Sequence, residues 1–192
     1  MVLTIGHSNH SYDRFVELLR AAGADVVLDI RSVPYSRRVP HFNSKRLPAT
    51  LARDGIEYRY LGGPLGGRPS DPSLYRNGHA DYERMAQTPG FLQGLEAVES
   101  LERAHRPALM CAERDPLDCH RCLLVARALA ERAVSASHIM ADGALVSQQQ
   151  IEDRLLAQAD LPDQDLFATR AERLASAFTR RAGAKAYRQP AP

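Results

Sequence analysis

The sequence predicts an α/β fold of three layers, a mainly parallel, Rossmann-like sheet of about five strands between two layers of helices. Three observations predict it. Short β-branched runs alternate about five times with segments of helical periodicity, the signature of repeated β-α units with right-handed crossovers. The run Asp25-Val26-Val27-Leu28-Asp29-Ile30-Arg31 is apolar almost throughout, as in a strand buried on both faces. Each predicted strand also exits into glycine or into side chains able to do chemistry, whereas the residues entering the strands are plain connections.

The elements follow in order. Val2 to Ile5 is a strand stopped by Gly6, and Tyr12, Phe15, Val16, Leu18 and Leu19 recur at helical spacing behind Ser11 as N-cap. The second strand ends before Pro34. Residues 34 to 46 form an irregular basic loop, Ser44 to Arg53 a helix closed by Gly55, and Ile56 to Tyr60 a third strand. Gly62-Gly63-Pro64-Leu65-Gly66-Gly67 reads as a loop through which backbone N–H groups can approach a ligand. Two helices split near Thr88-Pro89-Gly90 lie between Pro72 and His105. Ala108 to Cys111 is the fourth strand, Cys119 to Arg132 a helix capped by Asp118, Ser137 to Met140 the fifth strand, and Ser147 to Gln158 a helix capped by Ser147. Residues 1–158 are therefore expected to form one α/β domain. Residues 159–192 read as a C-terminal extension, with an amphipathic helix over 166–181 and a flexible tail.

Composition narrows the class. A chain of 192 residues with 44% hydrophobic and 25% charged residues is ordinary for a globular domain, and it needs neither disulfide nor structural metal to fold. No run of 18 apolar residues exists and Met1-Val2-Leu3-Thr4-Ile5 is too short for a signal peptide, so the expectation is a cytoplasmic protein without membrane attachment. Three cysteines crowded into residues 111–122 point to reduced thiols rather than a secreted disulfide framework. The net charge of +2 excludes nothing, and oligomeric state is not legible.

In open parallel sheets ligands bind beyond the carboxyl ends of the strands, so the strand ends supply the candidates. They are His7 and Ser8; Asp29, Arg31 and Ser32; Gly62 and Gly63; Cys111 and Glu113; and Asp142 and Gly143. Cys119, His120 and Arg121 open the helix after the fourth strand, where the helix dipole favours a thiolate, so Cys119 is the better-activated cysteine and Cys111 the better-placed one. Cys122, beside Leu123 and Val125, reads as a small buried hydrophobe. Arg31, a charge at the end of a buried strand, needs a partner, which Asp29, Glu113 or a ligand anion could supply. His7 is a candidate acid/base group. The stretch from Arg31 to Arg46, with Tyr35, His41 and Phe42 among its cations, could hold phosphate and stack a base.

A metal set drawn from Cys111, Cys119 and His120 is an alternative. Against it, the Cys119-x-x-Cys122 spacing falls within an apolar helix with no second such pair, and no cofactor is predicted. A phosphatase-type or sulfur-transfer loop fits the order strand, Cys111, loop, Arg121. It does not fit the length, because nine residues separate Cys111 from Arg121 where five are usual, and Asp115 and Asp118 would repel an anion.

Thr4-Ile5-Gly6-His7-Ser8-Asn9, Leu28-Asp29-Ile30-Arg31-Ser32-Val33-Pro34-Tyr35-Ser36, Phe42-Asn43, Tyr60-Leu61-Gly62-Gly63, Met110-Cys111-Ala112-Glu113 and Cys119-His120-Arg121 together closely resemble a bacterial family catalogued as domain of unknown function 488, over roughly residues 2 to 157. The resemblance implies that these strand-end clusters form the site, and it implies no substrate. A fainter similarity to rhodanese-like domains meets the same loop-length mismatch.

The leading expectation is an enzyme for a phosphate-bearing or otherwise anionic substrate, nucleotide or nucleic acid by preference. Cys111, Glu113 and His7 would be catalytic, and Ser8, Asp29, Arg31, Ser32, Gly62, Gly63, Cys119, His120 and Arg121 would bind. The rival expectations are a non-enzymatic nucleic-acid or nucleotide-binding module and a metal-binding protein.

Overall fold

The computed structural model describes residues 1–159 and 168–189. Strands β1 (Val2–Gly6), β2 (Val26–Asp29), β3 (Glu57–Tyr60), β6 (Pro107–Cys111), β7 (Ala136–Ile139) and β8 (Leu145–Ser147) form one sheet in the order β3-β2-β6-β1-β7-β8. All its pairings are parallel except β7 with β8. Tyr75–Arg76 (β4) and His79–Ala80 (β5) make a separate two-stranded ribbon. The three-layer α/β architecture is therefore as the sequence predicts, with β8 and the ribbon as additions.

Helices α1 (Tyr12–Ala21) and α2 (Leu47–Arg53) cover one face through Phe15, Leu18, Leu19, Leu47 and Leu51, which pack with Leu3, Ile5, Val27 and Met110 of the strands. The other face lies under α5 (Pro89–Glu102), α7 (Gln148–Gln158) and the helical segment Arg121–Glu131, together with the short helices α3 (Gly62–Leu65) and α4 (Tyr82–Ala86). Alternation along the strands sorts the residues: Val26, Leu28, Leu109 and Cys111 face the second layer, and Val27, Ala108 and Met110 the first. Ala177, Phe178 and Ala186, carried by and just beyond α8 (Arg170–Lys185), join the second core. Of the helix expected over 166–181, residues 166 and 167 lie outside the described residues, as does the Pro190–Pro192 end.

Local expectations needed correcting at five places. Gly62–Leu65 is a helical turn rather than an open loop, and α2 begins at Leu47, three residues after Ser44, because a 3₁₀ turn at Pro40–Phe42 first reverses the chain. Asp142 and Gly143 do not end a strand in a site. They turn the β7–β8 hairpin, with Gly143 at φ 99°. Asp118 does not cap the helix after β6: it closes a 3₁₀ turn, Pro116–Asp118, and its carboxylate meets Arg181 at 2.7 Å and Lys185 at 3.0 Å. The helix itself starts at Arg121 as a π-helix through Ala126 and becomes α6 (Arg127–Glu131). Cys119 is extended, and its carbonyl accepts the N–H groups of Cys122 at 3.1 Å and Leu123 at 3.0 Å.

Candidate functional site

The cluster begins at the last residue of β6. Cys111 lies beside Gly6 of β1, and the four residues that follow loop away before the 3₁₀ turn Pro116–Asp118 folds the chain back, so Cys119 returns to within reach of Cys111. Glu113 Oε2 accepts from Cys111 Sγ at 2.8 Å and from Cys119 Sγ at 3.0 Å. His120 Nδ1 stands 3.6 Å from Cys111 Sγ and 3.9 Å from Cys119 Sγ. The other ring nitrogen, Nε2, donates to the Ile30 carbonyl at 3.0 Å, which leaves Nδ1 facing the two sulfurs. One donor atom from each of Cys111, Glu113, Cys119 and His120 lies within 4.8 Å of all the others.

Glycines make this convergence possible. A Cβ on Gly6 would sit 1.8 Å from the Glu113 carbonyl oxygen, and one on Gly67 would sit 2.8 Å from the His120 ring. Arg121 then locks the loop. Its guanidinium is fully buried and donates to the carbonyls of Glu113 at 2.6 Å and Arg114 at 3.0 Å.

Burial pushes the Cys111 thiol well above its ordinary value, helped by neighbouring Cys119 and Glu113. Burial opposes ionisation of Cys119 too, but the hydrogen bond from Cys111 and the charges of Arg121 and His120 outweigh it and hold this thiol well below the usual range. Glu113 is raised by burial and then by the Cys119 charge, and His120 is raised by Cys119 against the opposing effect of its burial. The four groups therefore share protons as one unit.

These side chains form one end of a cavity of about 240 Å³, whose walls include Arg31, Ser32, Val33, Arg68, Tyr82, Lys185 and Tyr187. Of the residues singled out from the sequence, Arg31, Ser32, Cys111, Glu113, Cys119 and His120 reach this cavity. His7, Ser8, Asp29, Gly62, Gly63 and Arg121 do not line it. His7 is neutral, its pKa lowered to about 4 by burial and then by Arg31. Both its nitrogens are engaged: Nδ1 donates to Ser8 O at 3.0 Å, and Nε2 accepts from Arg31 Nη1 at 3.1 Å. Ser8 sits at φ 47°, its N–H bonded to Ala112 O at 2.9 Å. Asp29 is the partner of Arg31, with Nε–Oδ1 at 2.8 Å and Nη2–Oδ2 at 2.6 Å, and the guanidinium also donates to Phe42 O at 2.7 Å. Gly62 is a close-packing position, where a Cβ would lie 2.0 Å from the Arg31 carbonyl, and a Cβ on Gly63 would meet open space. Cys122 is fully buried, its thiol pushed up to about 12 by burial.

Sequence reasoning missed Arg68, Tyr82, Lys185 and Tyr187. Tyr82 follows an ordinary N-cap, Asp81, and nothing in the pattern distinguishes it. Lys185 and Tyr187 arrive because Tyr187 O accepts from Ala80 N at 2.9 Å, which lays the segment after α8 along the ribbon. Arg68 stands over the Tyr187 ring, 4.7 Å from its centroid. Among the described residues no helix is long and apolar enough to cross a membrane.

A family model described as "Domain of unknown function DUF488" matches residues 11–128, a span that holds the whole cysteine loop and leaves β1 and His7 outside. No curated protein and no solved structure matches the chain.

Proposed function

The chain belongs to the DUF488 family, whose description names no activity, and from its site geometry we propose that it is a metal-dependent enzyme acting on an anionic substrate, with Cys111, Cys119, His120 and Glu113 holding a divalent ion of the zinc class. The observation that carries this is the spacing of the donors. Zinc bonds of about 2.3 Å to sulfur and about 2.1 Å to nitrogen, at the tetrahedral angle, set those atoms about 3.6 Å apart. His120 Nδ1 lies at 3.6 and 3.9 Å from the two sulfurs. Two thiolates, one imidazole and one carboxylate are a borderline-soft donor set, and the Ile30 carbonyl orients the imidazole as an outer partner does in metal sites.

The objection from sequence spacing concerned Cys119 paired with Cys122, which is not the pair that converges. A bound divalent ion supplies Lewis-acid polarisation of an oxygen presented from the cavity. Glu113 is positioned to ligate or, with its carboxylate open to the cavity, to hold a proton beside the reacting atom. Arg68 and Lys185 bring cationic groups to the cavity lining, where Lys185 is paired with Asp118 at 3.0 Å.

The test is elemental analysis of protein purified under reducing conditions, followed by turnover of a phosphodiester panel by metal-loaded protein. About one equivalent of zinc is expected, falling to background in Cys119→Ser and Cys111→Ser variants that remain folded. A wild type that takes up no zinc, cobalt or iron defeats the metal centre; a loaded protein that turns over nothing in the panel defeats the catalytic half. A second reading, Cys119 as a nucleophile, is favoured by the Arg121 N–H directed at its sulfur at 3.4 Å. Activity in metal-free protein, lost in Cys119→Ser, would select it.

A further inference from the structure

Residues 30–53 contain six Arg/Lys and no Asp or Glu. Arg37, Arg38, Lys45 and Arg46 of this stretch are exposed, and among the described residues none of them meets a carboxylate. Elsewhere arginine charge is commonly matched: Arg20, Arg76, Arg127 and Arg132 each lie against an acid. Exposed aromatic and apolar side chains lie in the same stretch and at the end of β3. Tyr35 is 63% exposed, Val33 58% and Tyr60 47%.

The loop that presents them is braced from within. Ser36 N–H donates to Asn43 Oδ1 at 2.6 Å, Ser44 N–H to Pro34 O at 3.0 Å, and Phe42 is buried beneath it against His7, ring centroids 4.4 Å apart. A groove of about 490 Å³ runs among Pro34, Tyr35, Pro40, Lys45 and Arg46. Consecutive residues line the two spaces, Val33 the cavity and Pro34 the groove. Tyr60, on the outer strand β3, donates its hydroxyl to Ser32 O at 3.4 Å and so stands at the same mouth.

We propose that this surface is a track for single-stranded nucleic acid leading into the cavity, with bases stacked on Tyr35 and Tyr60 and phosphates held by Arg37, Arg38, Lys45 and Arg46. Unpaired bases expose the π-faces that tyrosines stack on, whereas a duplex hides them. The cations carry no competing carboxylates, so each is available to a phosphate. A braced loop loses little further freedom on binding. Binding stands independently of the metal centre; only the presentation of the strand to that centre rests on the preceding reading.

The test is fluorescence anisotropy of the full chain with labelled single strands of about 12 nucleotides, DNA and RNA, across a salt series. A duplex of the same sequence and anionic lipid vesicles serve as competitors. Affinity for the single strand is expected to fall linearly with salt on logarithmic axes. Arg37→Ala/Arg38→Ala should flatten that slope by about 1.4, and Tyr35→Ala/Tyr60→Ala should weaken binding about tenfold or more with the slope kept. Absence of single-strand binding at low salt overturns the track, as does equal competition by duplex or vesicles with the tyrosine variant unaffected. Since metal content is measured separately in the same preparations, failure of the track and failure of the metal centre are distinct results.

Discussion

At the residue scale, charge burial at the cavity floor is resolved by pairing. Arg31 is buried, yet Asp29 takes its guanidinium at two atoms and Tyr58 donates its hydroxyl to the same carboxylate at 2.8 Å. Removing one partner of such a pair leaves an uncompensated buried charge, and the cost exceeds what the pair itself contributes. Gly6 is the tightest position near the donors. Gly6→Ala should destabilise the fold by about 1–3 kcal/mol through overpacking, and because the Cβ collides with the Glu113 carbonyl it should also lower zinc uptake. Chemical denaturation and elemental analysis of the same variant check both; unchanged stability would show that the loop moves aside freely.

At the element scale, the segment from Cys111 to Ala126 builds the donor cluster, and its shape explains what was legible beforehand. The position of a cysteine at the end of an apolar strand and of Cys119-His120 close to the next helix could be read from pattern alone, although the helix itself starts only at Arg121. Their meeting could not, because it depends on the 3₁₀ turn Pro116–Asp118 and on a π-helix whose first residue is a fully buried arginine. Hydrophobic periodicity carries no mark of either. Most of the β-α alternation was legible because it rests on apolar periodicity, whereas β8, three residues long behind Asp142-Gly143, and the Tyr75–Ala80 ribbon offer too few residues for a period. Arg121→Met tests the segment. Losing two hydrogen bonds from a charged donor should cost about 3 kcal/mol, and freeing the Glu113 carbonyl should weaken zinc binding about tenfold. Equilibrium unfolding and competition with a zinc chelator measure the two effects, and loss of stability with unaltered zinc affinity would confine Arg121 to a packing role.

For the whole molecule, two buried histidines tie stability to pH. His138 accepts from Thr4 Oγ1 at 2.8 Å and donates to Gln148 Oε1 at 2.9 Å, an arrangement that holds the neutral ring, and burial lowers its pKa from 6.5 to about 4. His7 is lowered to about 4 as well. The unfolded chain binds more protons than the folded one between these values, so the stabilisation is complete above pH 6.5 and is lost as the pH falls towards 4. Each ring should contribute on the order of 3 kcal/mol to that loss. Unfolding midpoints measured from pH 7 to pH 4 should decline, and His138→Gln should decline less steeply; identical slopes would remove His138 from the account.

The order of strands has a kinetic consequence. β6 lies between β1 and β2, and pairs Leu3 with Ala108 and Val26 with Pro107, so the two N-terminal strands are joined in the sheet only when a partner synthesised far downstream slides between them. Closing such distant segments is entropically slow, which places folding towards the millisecond-to-second range of non-local topologies. Until that insertion both strands carry unpaired edges, the condition under which chains associate wrongly. The strand that bridges them is also the one whose last residue is Cys111, so the step that joins the two halves of the sheet and the step that brings Cys111 beside Gly6 are one event.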